Sequence, residues 1–444
     1  MNEIRENQEA TLKRAIRLNI WFSAINAANW TLCLGAPLVM LIGEWGGSAL
    51  QVGIVSSFLY IFTPIQLWSN VLMGRMGYKR LMVSGWSTRN FFLLPIPLIL
   101  LFYGLEAAQW KIYVAMIGVG LFACTRSIAV TAQMPWLYAL IPEGHRGRFF
   151  SNYMLGVNLT GATMFLLSAL SFSMVNNLLA FNLIFWIALM CGFVAAWVLA
   201  KIPDVEKPEA VSLREVNQLT WNFLRTPGNY RRVLFMWAWA AACWAPLTPF
   251  LIYYVSQKKI MEPDYVMLMA FLSFVGGVAG AALSRSWLDY IGIRLFSVFG
   301  LLGMAFSMVC TLAIISYEHW NHAPFEGMVF MLLTMMFFFG AFQSVWYTSG
   351  LKLQPYFTKE KNRALQISLF QIVSPLSAGI SSIIWGGLLR AADGDVEVVS
   401  VPALICYFIV SLVILLASSV YMIRMPIQEA IPRPFNFLAK LLRK

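Results

Sequence analysis

Two arginines stand where a cation is costly. Arg126 lies about midway along the apolar run 112–141, and Arg89 lies in Ser87-Thr88-Arg89-Asn90 of the run 81–104. An ionisable side chain inside hydrocarbon marks a ligand or ion path unless packing holds it. The planar fork of Arg126 could receive a carboxylate, a phosphate or polyol oxygens. The alternative is a fork that ties carbonyls or asparagines together between helices. For Arg126 the ligand role is expected; for Arg89, nearer the end of its run, a structural or snorkelling role. Acids are missing at depth: Glu44, Glu106, Glu143, Glu318, Glu326 and Asp393 fall at run ends or in loops, as do His145, His319 and His322. Proton carriers usually need a titratable group at depth. Coupling through a buried carboxylate is therefore not expected, while a facilitator, an exchanger, or coupling through substrate or sodium stays open.

Other chemistries lack their residues. There is no Gly-x-x-x-x-Gly-Lys phosphate loop and no His-Glu-x-x-His. No catalytic cluster appears, so the chain does not read as an enzyme. His319-Trp320-Asn321-His322, with Glu318 and Glu326, offers enough ligands for a metal, but a polar loop beside a membrane is the expected reading. No metal or cofactor is implied. The six cysteines, Cys33, Cys124, Cys191, Cys243, Cys310 and Cys406, fall within apolar runs and form no Cys-x-x-Cys pair; they read as isolated buried thiols.

The elements that carry these residues are membrane spans. Of 444 residues, 59% are hydrophobic and only 12% charged, with mean hydropathy +0.70. Soluble domains carry about 25% charged residues. Backbone groups in hydrocarbon must pair internally, and apolar runs of about 20 residues select helices over barrel strands. Spans are expected near 18–42, 49–72, 81–104, 112–141, 149–174 and 177–200, then near 233–256, 264–287, 294–316, 326–353, 363–389 and 400–423. The segment 1–17 reads as a polar lead-in helix, 201–232 as a linker, and 424–444 as a basic amphipathic tail anchored at the inner leaflet. The fold class is thus all-α, with twelve transmembrane helices in two six-helix bundles, 18–200 and 233–423. In the linker, Ser212-Leu213-Arg214-Glu215 fits a capping box. Leu213, Val216, Leu219 and Phe223 then give a helix expected to lie on the membrane surface. No cleavable signal peptide is visible.

The net charge of +12 sits in short loops, which favours an inner-leaflet bias over a nucleic-acid partner. Of 32 Lys and Arg residues, 26 collect on the side of the termini and linker, four on the other side (Lys111, Lys258, Lys259 and Arg390), and two inside spans. Both termini are expected in the cytoplasm, in a multi-pass inner-membrane protein.

The chain also repeats itself. Asn70-Val71-Leu72-Met73-Gly74-Arg75-Met76-Gly77-Tyr78-Lys79-Arg80 returns as Arg285-Ser286-Trp287-Leu288-Asp289-Tyr290-Ile291-Gly292-Ile293-Arg294, with Gly77 and Gly292 spaced 292 − 77 = 215 positions. Ala27-Ala28-Asn29-Trp30 is echoed by Ala241-Ala242-Cys243-Trp244 at a spacing of 214, and the loop around Arg146 and Arg148 by that around Arg363. Two like halves joined by a linker suit a carrier with its site near the midplane between them.

Over its whole length the chain resembles the major facilitator superfamily. That family's loop between spans two and three runs Gly-x-x-x-Asp-Arg-x-Gly-Arg-Lys/Arg-Arg. The first copy keeps Arg75, Gly77, Lys79 and Arg80 but has Asn70, Gly74 and Tyr78 at other motif positions; the second keeps Asp289, Gly292 and Arg294. The resemblance implies a gate in which a carboxylate meets the N-terminus of a helix in the other half. Gly74 cannot supply it; Asp289 can, toward the start of span five near Arg146 and Arg148. Where the family's fourth span often has Arg-x-x-Gln-Gly, Arg126-Ser127-Ile128-Ala129 keeps only the arginine.

Family architecture places spans one, four, seven and ten around the pathway, with two, five, eight and eleven beside them. It implies a solute site lined by Arg126, Asn26, Asn29, Gln133, Asn158, Trp237, Trp244, Gln343, Trp346, Tyr347 and Gln371. Amides beside indoles suit a sugar-like solute, and Arg126 an organic anion. Pro37, Pro246 and Pro249 are expected kinks, and Gly276-x-x-x-Gly280 a close packing contact, implied with span five. The expected function is alternating-access transport of a small polar organic solute by a monomer in the lipid bilayer. The other reading is a non-transporting membrane sensor or assembly partner of the same fold.

Overall fold

The computed structural model describes residues 2–207, 212–321, 327–357, 363–391 and 400–425, and among them every regular element is a helix. In the first half α1 (Asn2–Leu34) and α2 (Ala36–Glu44) make one span. Then come α3 (Ala49–Ile61) with α4 (Ile65–Met76), α5 (Tyr78–Phe91) with α6 (Pro95–Tyr103), and α7 (Gln109–Val130) with α8 (Gln133–Leu140). Unbroken α9 (Glu143–Met174) and α10 (Asn177–Ala200) follow, then the linker helix α11 (Leu213–Arg225). The second half holds α12 (Asn229–Trp244) with α13 (Leu247–Gln257), α14 (Pro263–Ile291), α15 (Ile293–Asn321), α16 (Met328–Phe357), α17 (Arg363–Ala391) and α18 (Val401–Ile423). Among the described residues eleven stretches are long and apolar enough to cross a bilayer, or twelve if α3–α4, bent by 42°, is one span.

The broken spans follow proline chemistry. Proline removes one backbone donor and crowds the carbonyl four residues earlier. Pro37 and Pro95 open α2 and α6, while Pro64 and Pro246 cap α4 and α13. The expected kinks at Pro37 and Pro246 are present; Pro249 sits in the first turn of α13 and breaks nothing. α17 continues through Pro375.

Small residues set the packing. A Cβ on Gly276 would lie 1.9 Å from the carbonyl oxygen of Phe337, and one on Gly280 2.1 Å from that of Ala341. The partner of this glycine pair is therefore α16, and the expectation that it packs on span five is corrected. Span five, α9, touches α14 elsewhere, where Phe274 fills the notch at Gly161. α17 is laced to α12 by hydroxyls: Ser374, Ser377 and Ser381 donate to the carbonyls of Trp237, Ala238 and Ala242. In membrane, such side-chain hydrogen bonds hold helices that gain no hydrophobic drive from meeting.

The linker ends and the loops at Gly77 and Gly292 share one face, here the linker face. Both glycines adopt left-handed backbone, φ +81° and +90°, joining α4 to α5 and α14 to α15. Ser212 caps α11 by accepting from the Glu215 amide at 3.3 Å. The apolar side of α11 does not simply face lipid: Val216 is buried, and the helix touches both α4 and α17. The expectation of a helix lying on the membrane surface is corrected accordingly. Residues 318–321, expected in a loop, form the last turn of α15, where the Tyr254 hydroxyl donates to buried Glu318. On the same opposite face, Lys111 donates to the carbonyls of Tyr103, Gly104 and Glu106, answering the C-terminal end of α6. The tail 426–444, His322 and Glu326 lie outside the described residues.

Candidate functional site

Arg126 extends a buried stripe. On α7, Ala115, Val119 and Phe122 are buried, and four-three-four spacing carries the stripe on to residue 126. Ile117 and Leu121, on the far side of the helix, are exposed to the membrane. Arg126 thus points inward, yet it stays half-exposed, so it borders an internal space. Among the described residues it makes no hydrogen bond or ion pair. Its electrostatic neighbours are the phenols of Tyr60 on α3 and Tyr153 on α9, and the cation of Arg89. Tyr153 is fixed by the Gln133 side-chain amide, which donates to its hydroxyl at 2.8 Å. Tyr60 touches Gly379 of α17, so the site reaches the other half.

Arg89 has the opposite fate. It is 1% exposed and does not snorkel. Its guanidinium donates to the Asn26 and Asn29 side-chain oxygens and lies 4.3 Å from the Trp86 ring centre and 4.7 Å from that of Phe122. Asn29, 0% exposed, donates to the Ala188 carbonyl at 2.8 Å. Trp86 donates to Asn26 at 3.0 Å. Gly192 leaves room for this cluster, since its Cβ would meet the side chains of Asn90 at 2.4 Å and Asn29 at 2.7 Å. Asn26 and Asn29 are thus engaged in holding α1, α5 and α10 together. Their expected place on the solute path is corrected for Asn29, which has no open surface.

In the second half two indoles cover each other's faces, while the buried Trp237 Nε1–H has no hydrogen-bond partner among the described residues. Trp237 and Trp346 stack with ring centres 5.0 Å apart, and are 5% and 2% exposed. The Trp237 ring fills the notch at Gly350, lying 1.4 Å from where a Cβ would stand. Neither offers a free face to a solute, so the expectation of both as lining residues is corrected. Tyr347, 42% exposed, and half-buried Gln343 lie on one side of α16, turned about 180° from lipid-facing Phe338. Gln371 is exposed on α17, half a turn from the outward stripe of Ile380, Ile384 and Leu388. Half-buried Trp244 faces away from membrane-exposed Phe235 and Trp239. Asn158 is half-buried on α9.

The halves meet on the face opposite the linker. Tyr253 donates to the Gly47 carbonyl at 2.6 Å. Gly53 of α3 and Gly386 of α17 touch backbone to backbone, a Cβ on Gly53 lying 2.4 Å from the Ser382 oxygen. Toward the linker face Met134 and Tyr138 of α8, and Tyr347 and Leu351 of α16, are exposed. The cleft therefore opens to the linker face. At its rim, Arg75 and Arg80 are exposed, Lys79 and Arg294 half-buried. The side chains of Arg146, Arg148 and Asp289 lie outside the described residues, so their expected gate contact has no geometry here.

Tyr60 and Tyr153 escaped the sequence reading, which sought charges, amides and indoles. A tyrosine is an ordinary interfacial residue, and only its meeting with Arg126 across three spans marks it.

This is a polytopic all-α membrane protein with eleven candidate spans among the described residues, or twelve if the bent α3–α4 pair is one span. It shares its fold with solved transporters. It superposes on a mutant of the nucleoside transporter NupG with TM-score 0.68 at 10% identity, covering 93% of this chain and 100% of that one. For the inward-open xylose transporter XylE from E. coli the values are 0.66, 12%, 97% and 99%. For the peptide transporter POT in complex with sulfate they are 0.68, 12%, 92% and 94%. No family model matches the chain, and no curated protein matches it in sequence.

Proposed function

We propose that this chain is a transporter that moves a small organic anion across the inner membrane by alternating access. The linker face is taken as cytoplasmic, from the bias of lysine and arginine, so the cleft is open inward. One observation carries the choice of anion: Arg126 borders the cleft with no carboxylate or hydrogen-bond acceptor on it among the described residues, and its charged neighbour, Arg89, is also a cation. A solute carboxylate or phosphate supplies the missing charge. The guanidinium fork takes it in a bidentate contact, and Tyr60 and Tyr153 can add hydroxyl donors. Gln343, Tyr347, Gln371 and Trp244 would face the solute from the second half. A sugar reading draws less support, because the two indoles that suited sugar stacking cover each other.

Proteoliposome uptake of labelled organic anions and sugars tests this. Uptake of an anion, lost in Arg126→Ala and partly kept in Arg126→Lys, is the expected result. Losing a charge-assisted hydrogen bond is worth about 1.5–3 kcal/mol, so affinity should fall roughly ten- to a hundredfold. Uptake of neutral sugars alone, unaffected by Arg126→Ala, would sink the reading.

A further inference from the structure

A groove of about 660 Å³ runs between α12 and α18 on their membrane-facing side, away from the cleft. Phe235, Trp239 and Val413 wall it and are exposed, and Ala417 and Ser418 keep it open by their small size. Arg231 and Arg232, in the first turn of α12, close its linker-face end. From Arg232 to Trp239 is about 10 Å along the helix, so the groove descends from the level of the cations into the apolar layer. No acid lines it. Arg231 donates once, to the Arg225 carbonyl at 3.0 Å, and among the described residues Arg232 makes no hydrogen bond or ion pair. A second groove of about 450 Å³, against α3 and α7, is lined by Phe58, Ile117 and Leu121 and by no charged residue.

A soluble anion would leave the apolar walls bare, and a neutral lipid would leave two arginines without a counter-charge. The basic tail of this chain would be repelled. An acyl chain joined to an anionic phosphate headgroup meets both demands. We infer that the groove between α12 and α18 binds an anionic glycerophospholipid, its phosphate on Arg231 and Arg232 and an acyl chain along Phe235, Trp239 and Val413. The uncharged groove takes acyl chains without selecting a headgroup. This site stands apart from the solute cleft, and its test does not depend on transport.

Native mass spectrometry of the full-length protein, released from micelles holding equal phosphatidylglycerol and phosphatidylcholine, reads the selection directly. The wild type should retain phosphatidylglycerol with a preference of about fivefold or more. Arg231→Gln with Arg232→Gln should bring the ratio near one. Ala417→Phe, which fills the groove and leaves both arginines, should reduce lipid retention. Equal retention of the two lipids by the wild type would overturn the inference, and this holds whether or not a variant folds. So would a preference that survives the double substitution, displacement of the lipid by inorganic phosphate, or a dimer in place of the lipid-bound monomer.

Discussion

Arg89 and Arg126 are the same side chain put to two uses, and their surroundings decide which. Arg89 has two asparagine oxygens and two aromatic faces around it. Replacing it by Ala strands those acceptors and opens a hole between α1, α5 and α10. The expected loss is about 3 kcal/mol, read as a lowered thermal midpoint in detergent. Lys should rescue it poorly, because a point charge cannot make the fork contacts or stack. Arg126→Ala should leave the thermal midpoint nearly unchanged while abolishing uptake, since among the described residues nothing depends on its fork. Glu318 is the one buried acid among the described residues, and it sits in the last turn of α15 beside Tyr254. If transport is uncoupled from protons, Glu318→Gln should leave the uptake profile between about pH 5 and 8 unchanged. A changed profile in the variant would overturn that expectation.

Among elements, the α14–α16 contact shows how finely small residues set helix distance. Gly280→Ala would force a methyl against the Ala341 carbonyl, 2.1 Å from its oxygen, and should cost about 1–3 kcal/mol. Gly277→Ala, one residue from Gly276, meets nothing nearer than 3.9 Å and should be neutral or slightly stabilising. Thermal unfolding of the two variants side by side separates packing from helix propensity. The span positions, their breaks at Pro37 and Pro246, and the turning glycines Gly77 and Gly292 were legible in sequence, because each is a local rule of hydropathy or backbone geometry. The partner of Gly276-x-x-x-Gly280 was not. Small-xxx-small spacing says that a helix comes close, and only the assembled bundle says which one.

For the whole molecule, closure on one face and opening on the other predict where the halves can be locked. In a background free of native cysteines, Leu50→Cys with Gly386→Cys joins α3 to α17 on the closed face, where the Gly386 Cβ position lies 3.2 Å from the Leu50 Cα. Oxidation should form this disulfide readily and stop uptake, with activity restored by reductant. A pair at Tyr138 and Leu351, across the open side, should cross-link only when an added substrate closes the cleft. Rapid cross-linking there without substrate would mean that the resting molecule is not open to the linker face.

Sequence alone determined that this chain is an all-helical, multi-span membrane protein, and that Arg126 lies within one of its apolar runs. Hydropathy, proline and repeated spacing act along the chain and need no partner to be read. Tertiary structure decided which polar residues remain free. Asn29, Trp237 and Trp346 have the chemistry of a solute site, yet Asn29 is hydrogen-bonded inside the protein and the two indole rings cover each other. Tyr60 and Tyr153 come to Arg126 from α3 and α9. A side chain binds solute only if packing leaves it open to the cleft, and that depends on neighbours from distant parts of the chain.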